Sequence, residues 1–422
     1  MGILLNLYLP LYKEFCLKKI FAIAALAASL GFAAQAQTPA PAAAAAATAN
    51  PVRLGVLLGF TGPLESITPA MAASAELAIR EVNASGLFLR GTRVEAVRAD
   101  STCVDAAAAT AAAQRLITAE RVNAIVGADC SGATTAVLQN VAVPRGVLMV
   151  SPSSTSPALT GVRDNDFFFR TAPSDARQGE VIAELLRERG ITRAAMTFTN
   201  NDYGRGLSSS IRSNFERLGG RITISAAHED GKGDYTAEVA ALAAAGGEIL
   251  IVAGYVDQGG RGIIRSALDS GAFSRFFLPD GMIGDSLPPA IGAGLNGSFG
   301  TKPGSESPGG TRFEALARAA NIRIGPYTYE SYDAAALILL AMQSANSTDS
   351  ARVREHIMAV ANGPGETINA GDLARGLRIL AAGGRINYEG ASAVRLIPPG
   401  ESAGGFRLIE VRNGRMETTG FR

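Results

Sequence analysis

The chain has no tryptophan, only two histidines and three cysteines among its 422 residues. His228 and His356 have no Cys, Asp or Glu at metal-ligand spacing with a second His, which argues against zinc hydrolysis and against any metal site. No G-x-S-x-G elbow and no G-x-x-x-x-G-K-[ST] loop occurs, so the commonest nucleophile and nucleotide signatures are missing. A glycine-rich stretch, Asp257-Gln258-Gly259-Gly260-Arg261-Gly262, lacks the Lys-Ser/Thr of a phosphate loop and reads as a helix start. The formal charge of +1 gives nucleic-acid binding no electrostatic support. No cofactor is expected.

What is present begins with an export signal. Lys13, Lys18 and Lys19 precede an apolar run over 20–32, followed by Ala34-Gln35-Ala36, an A-x-A cleavage site. The run is shorter than the roughly 20 residues a membrane span needs, so residues 1–36 read as a cleaved signal peptide rather than an anchor. Its loss removes three Lys and one Glu and brings the charge to −1. Cys16 precedes the apolar run, so it is not a lipid-attachment cysteine. Residues 37–50, rich in Ala and Pro, have the composition of a linker. The remainder, 51–422, exceeds one typical domain of roughly 100–200 residues, and two lobes are expected. In an exported chain the two remaining cysteines, Cys103 and Cys130, read as a disulfide. The bond would brace the loop that begins at Ser131, where a small ligand is expected.

From residue 52 the pattern repeats strand, loop, helix. Strands are predicted over 52–58, 92–98, 122–126 and 147–150, with helices starting at Thr68-Pro69 as cap and first-turn proline, at 105–119 and at 132–141. After Phe167-Phe168-Phe169-Arg170 the rhythm restarts. Asp175 caps a helix to 187, strands over 194–198, 221–225, 249–253 and 276–278 follow, and helices over 205–218, 235–244 and 258–270 alternate with them. Such alternation predicts parallel sheets covered by helices on both faces. Beyond about 301 come helices at 311–320, 329–344 and 350–361 and strand-like stretches at 392–397 and 406–412, which return to complete both lobes.

In open parallel sheets ligands bind beyond the carboxyl ends of the strands, where helix N-termini point free N–H groups. In the first half those positions are Phe60-Thr61-Gly62, Cys130-Ser131-Gly132 and Ser151-Pro152-Ser153-Ser154-Thr155. In the second half they are Asn200-Asn201-Asp202-Tyr203-Gly204, Gly254-Tyr255 and Asp280-Gly281. Hydroxyls with helix N-termini suit a carboxylate, and an acid with tyrosine rings suits an ammonium. Together they describe a zwitterion, an α-amino acid held between lobes, rather than a sugar. Each feature also has a plainer reading: Ser151 to Pro157 as a solvated loop, Tyr203 and Tyr255 as cleft-edge aromatics, Asp280 as an Asp-Gly turn, Ser131 as a helix cap. Use of Ser131 or Ser153 as a hydrolase nucleophile lacks a nearby general base, and no enzyme activity is expected.

In order and spacing, several stretches resemble the periplasmic leucine/isoleucine/valine-binding family of type I solute-binding proteins. They are Gly59-Phe60-Thr61-Gly62-Pro63, Glu81-Val82-Asn83-Ala84-Ser85-Gly86, the Cys103/Cys130 pair, Ser151-Pro152-Ser153-Ser154-Thr155-Ser156-Pro157, Phe169-Arg170-Thr171-Ala172-Pro173-Ser174-Asp175 and Asp202-Tyr203-Gly204-Arg205-Gly206. The resemblance implies an α/β fold of two doubly wound lobes joined by a three-crossover hinge, closing on an amino acid, of branched-chain type or related, for an ABC permease in the inner membrane. The expected organisation is 1–36 signal peptide, 37–50 linker, 51–171 and 301–386 lobe 1, 172–300 and 387–422 lobe 2. The mature protein is expected in the periplasm, without stable membrane insertion and without nucleic acid as partner. By matching motif, Ser131 and Thr155 would hold the ligand carboxylate with backbone groups of Ser154 assisting, Tyr203 and Asp280 would hold the ammonium, and Tyr255 would line the second-lobe wall; Ser153 is a further ligand-binding candidate. The sequence departs from the family at Ser153-Ser154, often Gly-Ala; at Asp280, commonly one methylene longer; and at Glu65-Ser66-Ile67, often carrying an aromatic. Glu65 argues against an aliphatic ligand and leaves a polar or basic side chain, or an amide, open. A periplasmic sensor on the same fold is the alternative.

Overall fold

The computed structural model describes residues 50–422. The expected signal peptide, and the linker except for Asn50, lie outside the described residues. Lobe 1 is built on β1 (Val52–Leu58), β2 (Val94–Asp100), β3 (Ala124–Gly127), β4 (Leu148–Ser151) and β5 (Phe168–Arg170), all parallel, in the order β2-β1-β3-β4-β5. Lobe 2 repeats that order with β6 (Arg193–Thr199), β7 (Arg221–His228), β8 (Ile249–Ala253), β9 (Phe276–Leu278) and β10 (Phe299–Pro303), as β7-β6-β8-β9-β10. Two short ribbons follow, β11 (Glu366–Asn369) with β12 (Ile386–Gly390) and β13 (Leu396–Ile397) with β14 (Glu401–Ser402). β15 (Phe406–Arg412) and β16 (Arg415–Phe421) then extend the second sheet antiparallel beyond β10.

The central strands are covered on both faces and therefore read as unbroken apolar runs; β3, β4 and β8 are buried at every position. The helix Thr328–Ala345 is buried along nearly its whole length because it lies between the first sheet and the helices Thr68–Ser85 and Ser350–Asn362. At Gly127, with φ +133°, a Cβ would fall 2.2 Å from the Leu57 carbonyl oxygen, so the close approach of β3 to β1 needs glycine there.

The chain crosses between lobes after β5, after β10 and between β14 and β15. These crossings lie side by side: Pro173 bridges Ser402, and the Gly304 N–H donates to the Gly405 carbonyl at 3.0 Å. β10 stands in the second sheet and β12 packs on the helix Ser350–Asn362. The second and third crossings therefore fall after Pro303 and after Ser402, not at 300/301 and 386/387.

Other boundaries also moved. The second strand starts at Val94 rather than 92 because Asn83 binds both backbone groups of Val94 at 2.9 Å. Thr68 is not the cap of its helix but its first residue, with its hydroxyl donating to the Gly59 carbonyl at 2.8 Å. Ser174, not Asp175, caps the helix Asp175–Glu188.

Cys103 and Cys130 form a disulfide that closes the ends of β2 and β3 across 27 residues, with Cα atoms 5.1 Å apart. Replacing both with serine is expected to lower stability by about 3–4 kcal/mol, the loop-closure value for a ring of this size, measured by denaturant unfolding under oxidising conditions.

Candidate functional site

The carboxyl ends of both sheets face each other. On lobe 1 the β3 turn places Asp129, fully buried, between three loops: its carboxylate accepts from the Gly59 N–H at 2.9 Å and the Ser101 hydroxyl at 2.8 Å. Burial raises its pKa, and those donors oppose the rise. The helix Ser131–Val137 begins next, and its first turn closes from the Thr134 N–H to the Cys130 carbonyl. The preceding N–H groups have no carbonyl within the helix to bind. The Ser131 hydroxyl accepts from the Ser156 N–H at 3.1 Å and keeps its own proton for another acceptor.

The turn after β4 is fastened from behind. The Ser151 hydroxyl accepts from the Ser153 and Ser154 N–H groups and donates to the Ala128 carbonyl at 2.6 Å. The Ser153 hydroxyl donates to the Asp129 carbonyl at 3.0 Å. Arg170, 1% exposed, donates to the Ser154 and Ser156 carbonyls at 3.1 and 2.9 Å and pairs with Glu401 at 3.1 Å. Burial lowers the Arg170 pKa, and Glu401 opposes that.

On lobe 2 Asn201 caps the helix Asp202–Arg217, which sets Tyr203 at its start. The Tyr203 hydroxyl donates to Asp280 at 2.8 Å and accepts from the Gly281 N–H at 3.2 Å. Its ring stacks on Tyr255, centroids 5.2 Å apart. The second oxygen of Asp280 accepts from the Tyr327 hydroxyl, which comes from the loop before the helix Thr328–Ala345 on lobe 1. Burial raises the Asp280 pKa and the two tyrosines lower it; burial and the Asp280 charge push both phenols well above their usual value.

These groups surround one cavity of about 20 Å³ between the lobes, lined by Leu64, Asp129, Cys130, Ser131, Ser153, Tyr203, Tyr255, Gly281 and Tyr327. That is space for about one water, so the lobes are closed on each other. Lobe 1 also touches lobe 2 through Asp257, whose carboxylate accepts from the Ser66 N–H at 2.9 Å. A larger hollow of about 840 Å³ is an open groove between the helices Thr236–Ala245 and Gly259–Asp269, and none of the converging residues lines it.

Of the residues singled out in the sequence, Ser131, Ser153, Tyr203 and Tyr255 line the cavity. Thr155 and Asp280, both buried, stand behind the lining. Ser154 faces away: its hydroxyl binds Thr134, Ala128 and Asp129, its N–H binds Ser151 and its carbonyl binds Arg170. Glu65 is exposed, and its neighbour Leu64 lines the cavity instead, which removes the argument against an aliphatic ligand. His228 meets Thr197 at 2.8 Å within the second sheet, on its edge strand pair, and His356 meets Ser344 at 2.9 Å, both apart from Ser131 and Ser153.

Tyr327 and Asp129 were not singled out. Asp129 was visible only as the neighbour of Cys130. Tyr327 sits in Gly325-Pro326-Tyr327-Thr328, an ordinary helix start, and its left-handed φ of +59°, which turns it into the cleft, has no local signature.

Two α/β lobes closing over a cleft between strand ends, with three adjacent crossovers, define a two-lobed solute-binding receptor. Residues 51–372 match the family described as periplasmic binding protein, and the chain belongs to that family. A relative in Halobacterium salinarum, a chemotactic signal transduction system substrate-binding protein, is 28% identical over 87% of this chain and 89% of its own length. A leucine-, isoleucine-, valine-, threonine- and alanine-binding protein of Pseudomonas aeruginosa is 26% identical over 81% and 88%. In fold the chain is similar to the branched-chain amino acid transporter substrate-binding protein of Streptococcus pneumoniae solved with isoleucine (TM-score 0.72, 22% identity, 87% and 98% covered). It is also similar to an ABC transporter solute-binding protein of R. palustris solved with benzoate (TM-score 0.71, 16% identity, 88% and 96% covered). Among the described residues no helix is long and apolar enough to cross a membrane.

Removing the Arg170 guanidinium leaves Glu401 and two carbonyls buried without their donor. Arg170→Met is expected to cost about 3–5 kcal/mol of stability, read by denaturant unfolding; a loss below 1 kcal/mol would show that the turn holds itself.

Proposed function

We propose that the protein captures an α-amino acid between its lobes and presents the closed form to an ABC permease, working in the periplasm after cleavage near Ala36. The observation that carries this reading is the pairing of a hydroxyl and helix-start wall at Ser131 and Ser153 with a buried carboxylate, Asp280, across one cavity. The ligand carboxylate meets the Ser131 and Ser153 hydroxyls, with Ser154 holding the turn. The ammonium meets Tyr203 and Asp280, and the side chain lies against Tyr255, Tyr327 and Leu64. No covalent step is involved. Charge-assisted hydrogen bonds contribute roughly 1.5–3 kcal/mol each, and four or five suffice for the ~8 kcal/mol of micromolar affinity after association costs.

An aromatic acid such as the benzoate of the R. palustris protein fits less well, because it brings a negative charge to a cleft that buries Asp280 and offers no ammonium to offset it. The chemotactic relative favours a second use of the same site, in which the closed form signals rather than delivers. A small amide as ligand shares the hydroxyl wall but leaves Asp280 without a counter-charge.

A thermal-shift screen against the amino acids and small amides is expected to find an amino acid, with about 2.7 kcal/mol of added stability at 100 times its Kd. Asp280→Ala is expected to weaken that ligand by roughly 2–5 kcal/mol by leaving its ammonium buried without a counter-charge; unchanged affinity removes Asp280 from the site.

A further inference from the structure

The carboxyl group of Asp175 is buried beside this site and serves none of the contacts described so far. Asp175 opens the helix Asp175–Glu188 at the first crossover, and its N–H donates to the Thr155 carbonyl at 2.8 Å. Its side chain is fully buried and neither carboxyl oxygen has a hydrogen-bond partner. The Thr155 hydroxyl close to it lowers the acid's pKa, and that hydroxyl too is buried without a hydrogen-bond partner. Gln178, one turn along the same helix, has an unpartnered buried carbonyl oxygen.

The charged and titratable groups facing Asp175 offer it little. Asp280 is a second carboxylate, and the Tyr203 and Tyr327 hydroxyls both serve Asp280. Arg170 is engaged with Glu401 and two carbonyls. A buried carboxylate whose oxygens have no hydrogen-bond partner, and which feels the charge of a second carboxylate, is far less stable ionised than neutral. Thr155 beside it belongs to the first lobe and the helix that carries Asp175 to the second, so parting the lobes opens this contact to water.

We propose that lobe closure converts Asp175 from a solvated carboxylate into a buried neutral acid, so that ligand capture takes up one proton. This rests on the amino-acid reading of the cleft. It leaves Asp280 as the sole counter-charge for one ammonium, and so matches the site to ligands with a single cationic group. Burial, and secondarily Asp280, raise the Asp175 pKa well above its ordinary value in the closed form. The sign follows: a group that binds its proton more tightly in the closed form makes capture strongest at low pH. Capture then weakens as pH rises from about 4, the solvated value, to the closed-form value.

Calorimetric titration of the protein with each standard amino acid, in buffers of equal pH but different ionisation enthalpy, counts the protons exchanged. The expected result is uptake approaching one proton per ligand, with affinity falling up to about tenfold per pH unit. Asp175→Asn should bind without proton uptake and without that slope. Binding with no proton exchange overturns this inference and leaves the amino-acid reading intact; a slope that survives in Asp175→Asn assigns the proton elsewhere and overturns it too. Binding of no amino acid overturns both. If Asp175→Asn does not fold, the infrared band of a protonated carboxylic acid, expected to grow in the wild-type protein when ligand is added, decides the matter, and its absence overturns the inference.

Discussion

Asp280 is a carboxylate sealed from water between two lobes and held by one tyrosine from each, Tyr203 from the second and Tyr327 from the first. Phenols stabilise it without neutralising it, since both hydroxyls keep their protons more firmly beside the charge than in water. The charge stays unbalanced locally, and a cation entering the cleft gains from it. The same contact joins the lobes, so the group that would recognise an ammonium also reports whether the cleft is shut.

The opposite wall is organised so that its outward groups are fixed before any ligand arrives. Arg170 and the Ser151 hydroxyl grip the Ser153–Ser156 backbone from behind, Asp129 ties three loops at their roots, and the disulfide closes the ends of β2 and β3. Such fastening lowers the ordering that binding would otherwise require. Three crossovers packed against one another let the lobes part as bodies while each wall keeps its shape.

The repeating strand and helix pattern made the two parallel sheets legible from the sequence, because buried parallel strands must be apolar on both faces. Strand ends then pointed to Ser131, Ser153, Tyr203 and Tyr255 without further information. Less was visible where position depends on other parts of the chain. β10 carries Gly-Thr-Lys-Pro and owes its place to pairing with β9 and β15, not to its own pattern. Tyr327 reaches the cleft through a backbone turn that proline and tyrosine do not announce. Ser154 and Glu65 show the converse: the family resemblance pointed to them, and the local hydrogen bonds of one and the outward turn of the other put them elsewhere.

If the charge on Asp280 makes the cleft select a zwitterion, removing the ligand's amino group alone must abolish binding. One calorimetric series can compare each amino acid with the carboxylic acid that lacks only its amino group. An amino acid is expected to bind and its deaminated partner not to; a deaminated acid or benzoate binding as tightly as any amino acid rules out recognition through Asp280.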